Sequence, residues 1–413
     1  MKVLFVSNFY PPKTIGGYER LCHEVATAFV EEGHEVAVLT STSDGALRGY
    51  PGQRLHRTLQ LLADPVDIYA PFSATTEERA AIDAGNIARL QHVLALERPD
   101  VVFVWNLYFL SPSFLTALDQ SGVPIAFMLT DNWMIATLDA GFIAGFFRDH
   151  AFGDEPFPGH PSGWRRVFRK RSRPAVRFNF QHKAIFGSDF MRRLYEAAGI
   201  SFGSSKVIHN GVRLAKMPDG AFADRMALRD PSEARLLCAG RLVDLKGVHT
   251  AIEALPALRD EQPPVRLTIL GDARDAAYKR RLDSLIDATG TADRIEFRSP
   301  VAESELFELF QEHDIYLFPS LYEPFSLTLI YALAAGIPTI ASDAGGNVEI
   351  IHHRRTGLLF RKGDARGLSG AIRILLKEPK LRQSLSSEAR RVAHEFSFER
   401  MVREMALYLA ERA

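Results

Sequence analysis

Short apolar runs alternate with helix-patterned segments along this chain, and this alternation restricts its fold more than any other feature. Residues 3–6 predict a strand, residues 18–32 carry apolar side chains at helical spacing, and residues 34–40 (HEVAVLT) predict a second strand. Two strands joined through a helix run parallel in one sheet, with helices on both faces. The pattern therefore predicts the α/β class with doubly wound sheets.

The alternation occurs twice. In the first half, strands are predicted at 101–104, 125–129, 184–186 and 207–208, and helices at 75–97, 112–120 and 188–198. After the turn HNGV at 209–212 and an irregular stretch, it restarts with the runs RLLCAG, VRLTILG, RIEF, DIYLF, IPTIAS and TGLLF. Only helical patterns follow Ala365. We therefore predict domains at 1–210 and 211–390 and a terminal helical segment at 391–413.

Composition excludes several classes of protein. The 50 basic and 50 acidic residues give zero formal charge, so no overall field attracts nucleic acid. Cys22 and Cys238 lie in apolar runs and form no Cys/His cluster, so neither a disulfide framework nor a metal site is predicted. No apolar run approaches the roughly 20 residues of a membrane span. These features favour a cytoplasmic protein.

The segment EPFSLTLIYALAAG places one carboxylate, Glu323, before an apolar helix. Pro324 suits the first helical position because its ring fixes a helical φ. The free N–H groups of Phe325, Ser326 and Leu327 would then face an anion at the carboxyl end of the strand DIYLF. A carboxylate beside an anion site suggests a ligand that is part anion and part polyol. The alternative is that Glu323 only offsets the helix dipole.

Two other segments have similar chemistry. TIGGYER puts Gly16 and Gly17 at a helix start, where a backbone without side chains lets a substrate approach closely, although such a pair is also a common structural turn. CAGRLVDLKGV puts Arg241 and Lys246 between a strand and a helix, where two cations suit a diphosphate. Ordinary solvated cations are the alternative. The dehydrogenase fingerprint G-x-G-x-x-G, the P-loop, the G-x-S-x-G elbow and a D-x-D pair are all missing from the sequence.

The segments GGYERLCHEVATAFVEEGHEVAVLT, KVIHNGV, CAGRLVDLKGV, LTILGDA, EPFSLTLIYALAAGIPTIASDAGG and EIIHHRRTGLLF together resemble the retaining glycosyltransferases of group 1, or family 4, in order and spacing. The resemblance spans residues 1–40 and 183–413. It implies the GT-B fold, two Rossmann-like domains facing each other across a cleft. It also implies that the first domain lies on the acceptor side, that the second binds the nucleotide sugar, and that the final helices cross back to the first domain.

The resemblance assigns catalytic roles position by position. Arg241 and Lys246 would hold the diphosphate of the donor and stabilise the charge that develops when the glycosidic bond breaks. Glu323 would contact hydroxyls of the donor sugar. Gly16 and Gly17 would approach the donor from the first domain.

The remaining donor contacts are implied in the same way. Backbone amides of Phe325, Ser326 and Leu327 would receive phosphate or sugar oxygens, and the segment FRSPV with Arg298 and Val301 would hold the base. The resemblance further implies transfer with retention, without a metal or another cofactor.

One position departs from the family pattern. The family usually carries a second glutamate eight residues after the first, where it binds the ribose hydroxyls, and this chain has Tyr331 there. A phenol cannot bind a diol as a bidentate carboxylate does. Three interpretations stay open: an altered ribose contact, a different donor, or a degenerate site.

A second departure lies at the end of the fourth predicted strand. The family often carries a histidine there, and this chain has Thr130 followed by Asp131. Asp131 is a candidate to orient the acceptor or accept its proton. An aspartate that caps a turn is the alternative.

Residues 163–173, GWRRVFRKRSR, hold six basic side chains with apolar residues at helical spacing. Such a segment suits contact with the inner face of an anionic membrane and a lipid-linked acceptor, but a solvated helix packed on the first domain fits as well. Nucleic acid is not a predicted partner.

The sequence thus predicts a retaining, metal-independent hexosyltransferase. It would use a nucleotide sugar donor and a glycan, lipid-linked or small-molecule acceptor. The alternatives are a catalytically weak sugar-nucleotide binding protein and a GT-B nucleotide-sugar epimerase.

Overall fold

The computed structural model describes residues 1–42, 49–64, 72–153, 155, 178–214, 225, 227, 228, 230, 232–302 and 305–411. The chain divides into two compact units. As far as these ranges are described, the first unit contains Met1–Phe146, Phe157–Ile208 and Val402–Ala413, and the second contains Phe147–Pro156 and His209–Met401.

The first unit is built on a seven-stranded parallel sheet with the order β3-β2-β1-β4-β5-β6-β7. Its strands are β1 (Lys2–Ser7), β2 (Glu35–Ser41), β3 (Gln53–Leu59), β4 (Val101–Asn106), β5 (Ile125–Leu129), β6 (Phe178–Phe186) and β7 (Ile200–Val207). Its helices are α1 (Gly17–Glu31), α2 (Thr76–Glu97), α3 (Pro112–Asp119), α4 (Trp133–Leu138), α5 (Ala140–Phe146) and α6 (Asp189–Ala197).

The polar edge strand of this sheet was not predicted. β3 has the sequence QRLHRTL and pairs only with β2 within the sheet, so it carries basic side chains in place of an apolar run. β6 and β7 also begin earlier than predicted, because their first residues include exposed polar positions that hide the strand pattern.

The second unit is built on a six-stranded parallel sheet with the order β10-β9-β8-β11-β12-β13. Its strands are β8 (Ala234–Ala239), β9 (Val265–Leu270), β10 (Ile295–Arg298), β11 (Ile315–Phe318), β12 (Thr339–Ser342) and β13 (Leu358–Phe360), which lie in the six predicted runs. The helices are α7 (Val248–Ala254), α8 (Ala276–Thr289), α9 (Leu306–Glu312), α10 (Leu327–Ala335), α11 (Asn347–Ile350), α12 (Ala365–Lys377) and α13 (Pro379–Ala393). Helix α14 (Phe398–Ala410) begins in this unit and belongs to the first unit from Val402 onward.

Side chains of this second sheet alternate between two apolar cores. Leu236 and Cys238 pack with helices α7, α8 and α12, whereas Leu237 and Ala239 pack with α9, α10 and α13. Both faces of β8 are therefore buried, which explains why this strand reads as a continuous apolar run in the sequence. The loops that connect the strands and helices, and the polar side chains on them, lie at the two ends of the sheet.

The last turn of α14 is fixed in the first unit. Lys183 of β6 is buried, and its ammonium donates hydrogen bonds to the backbone oxygens of Tyr408, at 2.8 Å, and Glu411. The Tyr408 hydroxyl contacts Ser204 Oγ at 2.6 Å. A cation at the carbonyl end of a helix stabilises that end. The part of α14 from Val402 onward therefore belongs to the first unit.

No described helix has the length and apolar character needed to cross a bilayer. The basic segment at 163–173 lies outside the described residues, so its predicted membrane contact stays a prediction.

Candidate active site

The loops after β8 and β11 meet at the carboxyl edge of the second sheet. These two strands are neighbours, and the strand order reverses between them, because β9 and β10 lie on one side and β12 and β13 on the other. Open α/β sheets bind ligands in the crevice outside such a switch point. The loop after β8 supplies Lys246, and the loop after β11 supplies Glu323.

Lys246 and Glu323 form an ion pair with 2.5 Å between Nζ and Oε2. The Glu323 side chain is 9% exposed and that of Lys246 is 23% exposed. The ammonium also lies 5.6 Å from the centre of the Phe318 ring. If either side chain moved away, the other would be left as a buried or partly buried charge without a partner, which costs free energy. Each side chain therefore holds the other in position.

A small cavity of about 10 Å³ adjoins the ion pair and is lined by Cys238, Lys246 and Ser320 among others. Burial raises the pKa of the Cys238 thiol to about 12, despite the opposing effect of Lys246. The thiol is therefore protonated and unreactive at neutral pH.

A glycine lets the loop after β8 touch the loop after β11. Gly247 has φ +63°, and a Cβ placed on it would lie 2.1 Å from the backbone oxygen of Pro319. Two residues after Pro319, the Leu321 N–H donates to the Leu245 oxygen at 2.8 Å. Backbone contact between the two loops fixes the distance between the groups they carry.

The backbone of Glu323 is also held by the turn that follows β12. The Gly346 N–H donates to the Glu323 oxygen at 2.8 Å, and a Cβ on Gly345 would lie 2.1 Å from the same oxygen. Sequence reasoning missed the bracing role of Gly247, Gly345 and Gly346. The glycines themselves stood in the segments LKGV and DAGG, but the partner of each contact lies far away in the sequence.

Helix α10 begins three residues later than predicted. Ser326 is its N-cap and accepts a hydrogen bond from the Leu329 N–H at 3.2 Å, so the helix runs from Leu327 and not from Pro324. A serine N-cap satisfies an otherwise free N–H and is a stronger start signal than proline at the first position. Phe325 and Ser326 thus belong to the loop that carries Glu323. Their backbone N–H groups are therefore not the free N–H groups of the first helical turn.

Arg241 and Tyr331 differ in how far they are exposed to solvent. Arg241 is exposed and forms no ion pair with another described residue. Tyr331 lies in the second turn of α10 and is partly buried against the core cluster of that face. The roles predicted for the Arg241 guanidinium and the Tyr331 hydroxyl stay predictions.

Arg298 is not brought together with the ion pair. Its guanidinium contacts the carboxylates of Glu296, at 2.9 Å, and Glu312, at 3.3 Å, in a groove of about 240 Å³. The predicted contact of this segment with the base stays a prediction. Val301 packs partly buried against the apolar core that contains Phe325.

In the first unit, Gly16 and Gly17 open helix α1. Gly16 is the N-cap with an extended φ of −154°, and nothing lies within 4 Å of a Cβ placed on either glycine. The fold itself therefore does not require glycine here, which favours the functional interpretation. Glu19 holds this turn, because its buried carboxylate accepts hydrogen bonds from the N–H groups of Gly16, at 2.9 Å, and Ile15, at 3.3 Å. Sequence reasoning gave Glu19 no role.

Asp131 follows β5 and caps a turn, as the alternative interpretation proposed. Its Oδ1 accepts a hydrogen bond from the Trp133 N–H at 3.0 Å, and its backbone oxygen accepts one from the Tyr195 hydroxyl. Burial raises the pKa of Asp131 to about 6, helped by the charge of Glu19 and opposed by the Trp133 N–H. A carboxyl with this pKa exchanges protons near neutral pH, as a general base requires.

The raised pKa of Asp131 predicts a measurable pH dependence of stability. The folded protein holds the proton up to about pH 6, whereas the unfolded chain releases it near its ordinary pKa of 3.8, so stability falls as pH rises between these values. Asp131→Asn keeps the acceptor for the Trp133 N–H and removes the charge. We expect it to be more stable at pH 7 by roughly 2 kcal/mol, with a smaller loss from pH 4 to 6. Thermal melts of both proteins across pH 4–8 check this, and parallel curves would contradict it.

Within the described parts of the chain, no three histidine, cysteine, aspartate or glutamate side chains converge to hold a metal ion.

Two family models match the sequence. The model of "Glycosyl transferases group 1" matches residues 223–392, and that of "Glycosyltransferase Family 4" matches residues 15–216. A glycogen synthase from Mycobacterium tuberculosis is 28% identical over 100% of this chain and 95% of its own length. A D-inositol 3-phosphate glycosyltransferase from Streptomyces avermitilis is 31% identical over 51% of this chain and 47% of its own.

Solved structures of similar fold cover almost the whole chain. Sucrose-phosphate synthase from Thermosynechococcus elongatus aligns with a TM-score of 0.72 and 22% identity, covering 98% of both chains. Anabaena HepE, in complex with UDP-glucose, aligns with a TM-score of 0.67 and 20% identity, covering 99% of both chains. At these identities the likeness establishes the fold.

Proposed function

This chain belongs to the group 1 and family 4 glycosyltransferases and has the GT-B fold, and from that premise we propose that it transfers a sugar from a nucleoside diphosphate sugar to an acceptor hydroxyl with retention of configuration. The ion pair of Lys246 and Glu323 at the switch point, with exposed Arg241 in the same loop, is the observation that carries the proposal. It combines a cation for the diphosphate with a carboxylate for sugar hydroxyls.

The pair suggests how the donor is bound. When a diphosphate enters, Lys246 exchanges one oxygen anion for another, and Glu323 becomes free to accept hydrogen bonds from the sugar. Arg241 adds a second cation with a planar set of donors suited to phosphate. As the glycosidic bond breaks, charge builds on the leaving diphosphate, and preorganised cations stabilise it more than they stabilise the bound substrate. We propose that these side chains replace a metal ion.

Retention follows in our proposal if the acceptor hydroxyl attacks from the face that the diphosphate leaves. The proton released by that hydroxyl needs an acceptor, and Asp131 has a pKa suited to the task. We assign Asp131 to orienting the acceptor hydroxyl and accepting its proton. No covalent intermediate is needed for this route.

The relatives support a UDP-sugar donor and a carbohydrate acceptor as first choices. HepE is solved with UDP-glucose, and the Mycobacterium tuberculosis relative, which aligns along the whole chain, is named a glycogen synthase. We propose a neutral oligosaccharide acceptor, with a small polyol phosphate as the second choice on the basis of the inositol phosphate relatives. An epimerase would need no acceptor, so a dependence of UDP release on added oligosaccharide separates the two activities.

A thermal-shift screen tests the donor site. We expect one of UDP, GDP, ADP and dTDP, or its glucose conjugate, to raise the melting temperature, because a ligand at 100 times its Kd stabilises the folded state by about 2.7 kcal/mol. Arg241→Ala should abolish the shift without changing the melting temperature of the free protein, since Arg241 is exposed. A screen in which no nucleotide shifts the melting temperature would overturn the proposed function.

Tyr331 favours one other function, a sugar-nucleotide binding protein with weak catalysis. The two functions predict opposite results for Tyr331→Glu. We expect kcat/KM to stay within threefold or to fall, because the partly buried phenol is adapted to its surroundings and a carboxylate there carries a desolvation cost. Tyr331→Phe is the control that removes only the hydroxyl. A rise of tenfold or more in kcat for Tyr331→Glu would favour the binding protein.

A further inference from the structure

Residues Phe147–Gly153 form a short element beside the candidate donor site. They are grouped with the second unit, although the chain before them, α5, belongs to the first. Phe147–Ala151 is a π-helical turn, closed by a hydrogen bond of 2.8 Å from the Phe152 N–H to the Phe147 oxygen. Such turns often occur at functional sites.

Lys362, which follows β13, fixes this element. Its ammonium donates hydrogen bonds to the backbone oxygens of His150, Ala151 at 2.8 Å and Gly153 at 2.9 Å. An ammonium has three donors, and all three are used on the carbonyl end of one helical turn. The backbone of the element is therefore held in one place on the second unit.

The element contacts the loop of Glu323 through two aromatic rings. The Phe147 ring lies 5.0 Å from the Tyr322 ring, edge to face at 71°. Tyr322 is buried and directly precedes Glu323 in the chain. The element thus contacts the residue that directly precedes the carboxylate that we assign to the donor sugar.

Phe152 presents an aromatic surface on this fixed backbone. Its side chain is 55% exposed, and its ring lies 6.4 Å from that of Phe147. Phe297, the other exposed phenylalanine of the described chain, is covered by the ammonium of Lys279 at 4.3 Å. Aromatic side chains line many ligand sites, so Phe152, held on a fixed backbone near the loop of Glu323, is a candidate ligand contact. The C–H face of a pyranose ring is a suitable partner for it.

We propose that Phe147–Gly153 is an acceptor subsite carried by the second unit, in which Phe152 stacks on a sugar ring of a carbohydrate acceptor and Lys362 is the positioning residue. The inference rests on the proposed function and adds to it a location for the oligosaccharide acceptor and a contact residue. Arg148 and Asp149 pair with each other at 2.7 Å, so the charges beside Phe152 compensate each other and suit a neutral sugar.

The test compares transfer with hydrolysis. The nucleoside diphosphate glucose selected in the thermal-shift screen is incubated with maltohexaose, cellohexaose or xylohexaose, and glycoside formation and free glucose are both measured. We expect Phe152→Ala to raise the KM for the accepted oligosaccharide about five- to tenfold and to lower the ratio of transfer to hydrolysis by the same factor. Phe152→Tyr keeps the ring and should restore the ratio. Leu96→Ala removes an equally exposed apolar side chain elsewhere and serves as control.

Lys362 is tested by the same ratio and by hydrogen exchange. Lys362→Met should lower the ratio and speed amide exchange in residues 147–153, whereas Lys362→Arg, which keeps the donors, should restore both. Parallel loss of transfer and hydrolysis in Phe152→Ala would show a merely structural role and overturn the proposal. The acceptor-subsite proposal would also be wrong if no oligosaccharide accelerates release of the nucleotide while the donor still stabilises the protein. In that case the proposed donor site would remain supported.

Discussion

Lys246→Met lowers kcat/KM for sugar transfer by an expected factor of roughly 10² to 10³, the usual effect of removing one group that stabilises charge in a transition state. Lys246 lies at the switch point of the second sheet, with its ammonium 2.5 Å from Glu323. The proposed leaving group is a diphosphate, so loss of this cation raises the energy of the charged transition state. Steady-state kinetics of transfer measure the effect.

A control variant separates this effect from a general loss of positive charge. Lys279→Met removes a lysine of α8 that pairs with Asp283 across one helical turn, and it should change kcat/KM by less than twofold. Lys246→Arg keeps the charge but changes the donor geometry, so its activity should be intermediate. Equal activity of Lys246→Met and the wild type would remove Lys246 from the proposed mechanism.

The Glu323 carboxylate gives a second control on the same variant. Lys246→Met leaves a buried carboxylate without its cation and should lower the free energy of unfolding by a few kcal/mol. The double variant Lys246→Met with Glu323→Gln has no charge to compensate and should recover much of that stability. Because Glu323 is itself assigned to the donor sugar, activity should stay low, and the recovered stability is what shows that the destabilisation came from the uncompensated carboxylate.

The sequence predicted the parallel sheets well because their strands are buried on both faces. Leu236 and Leu237, for example, face different cores, so the strand reads as an unbroken apolar run. β3 lies at an edge and carries Arg54, His56 and Arg57, which leave no such signal. Pattern reasoning therefore finds the interior of a sheet and misses its polar edges.

The candidate site was predicted in part, for a related reason. The sequence named Lys246 and Glu323 as candidates, and the fold brings them together because β8 and β11 are neighbouring strands. The direction of Arg298 depends on which face of a four-residue strand it occupies, and a one-residue change in register reverses that face. The contact of Lys362 with residues 150–153 joins segments about two hundred positions apart, beyond the reach of any local pattern.

Gly247→Ala has the second large expected effect, and it acts on the geometry of the site without removing a functional group. The residue has φ +63°, which costs a non-glycine residue roughly 1–2 kcal/mol, and the added Cβ would lie 2.1 Å from the Pro319 oxygen. Relief of that clash requires the loops to separate, at a cost of roughly 1–3 kcal/mol more. We expect the free energy of unfolding to fall by about 3 kcal/mol in urea melts.

Gly33→Ala distinguishes the two contributions, because Gly33 has φ +83° and nothing within 4 Å of the added Cβ. It should show the conformational cost alone and normal transfer. In Gly247→Ala the separation of the loops moves Lys246 away from Glu323, and displacement by 1 Å costs catalysis about a hundredfold. The nucleotide shift should therefore weaken along with transfer. If Gly247→Ala matched Gly33→Ala in both stability and transfer, contact between the two loops would not be what holds the cation and the carboxylate in register.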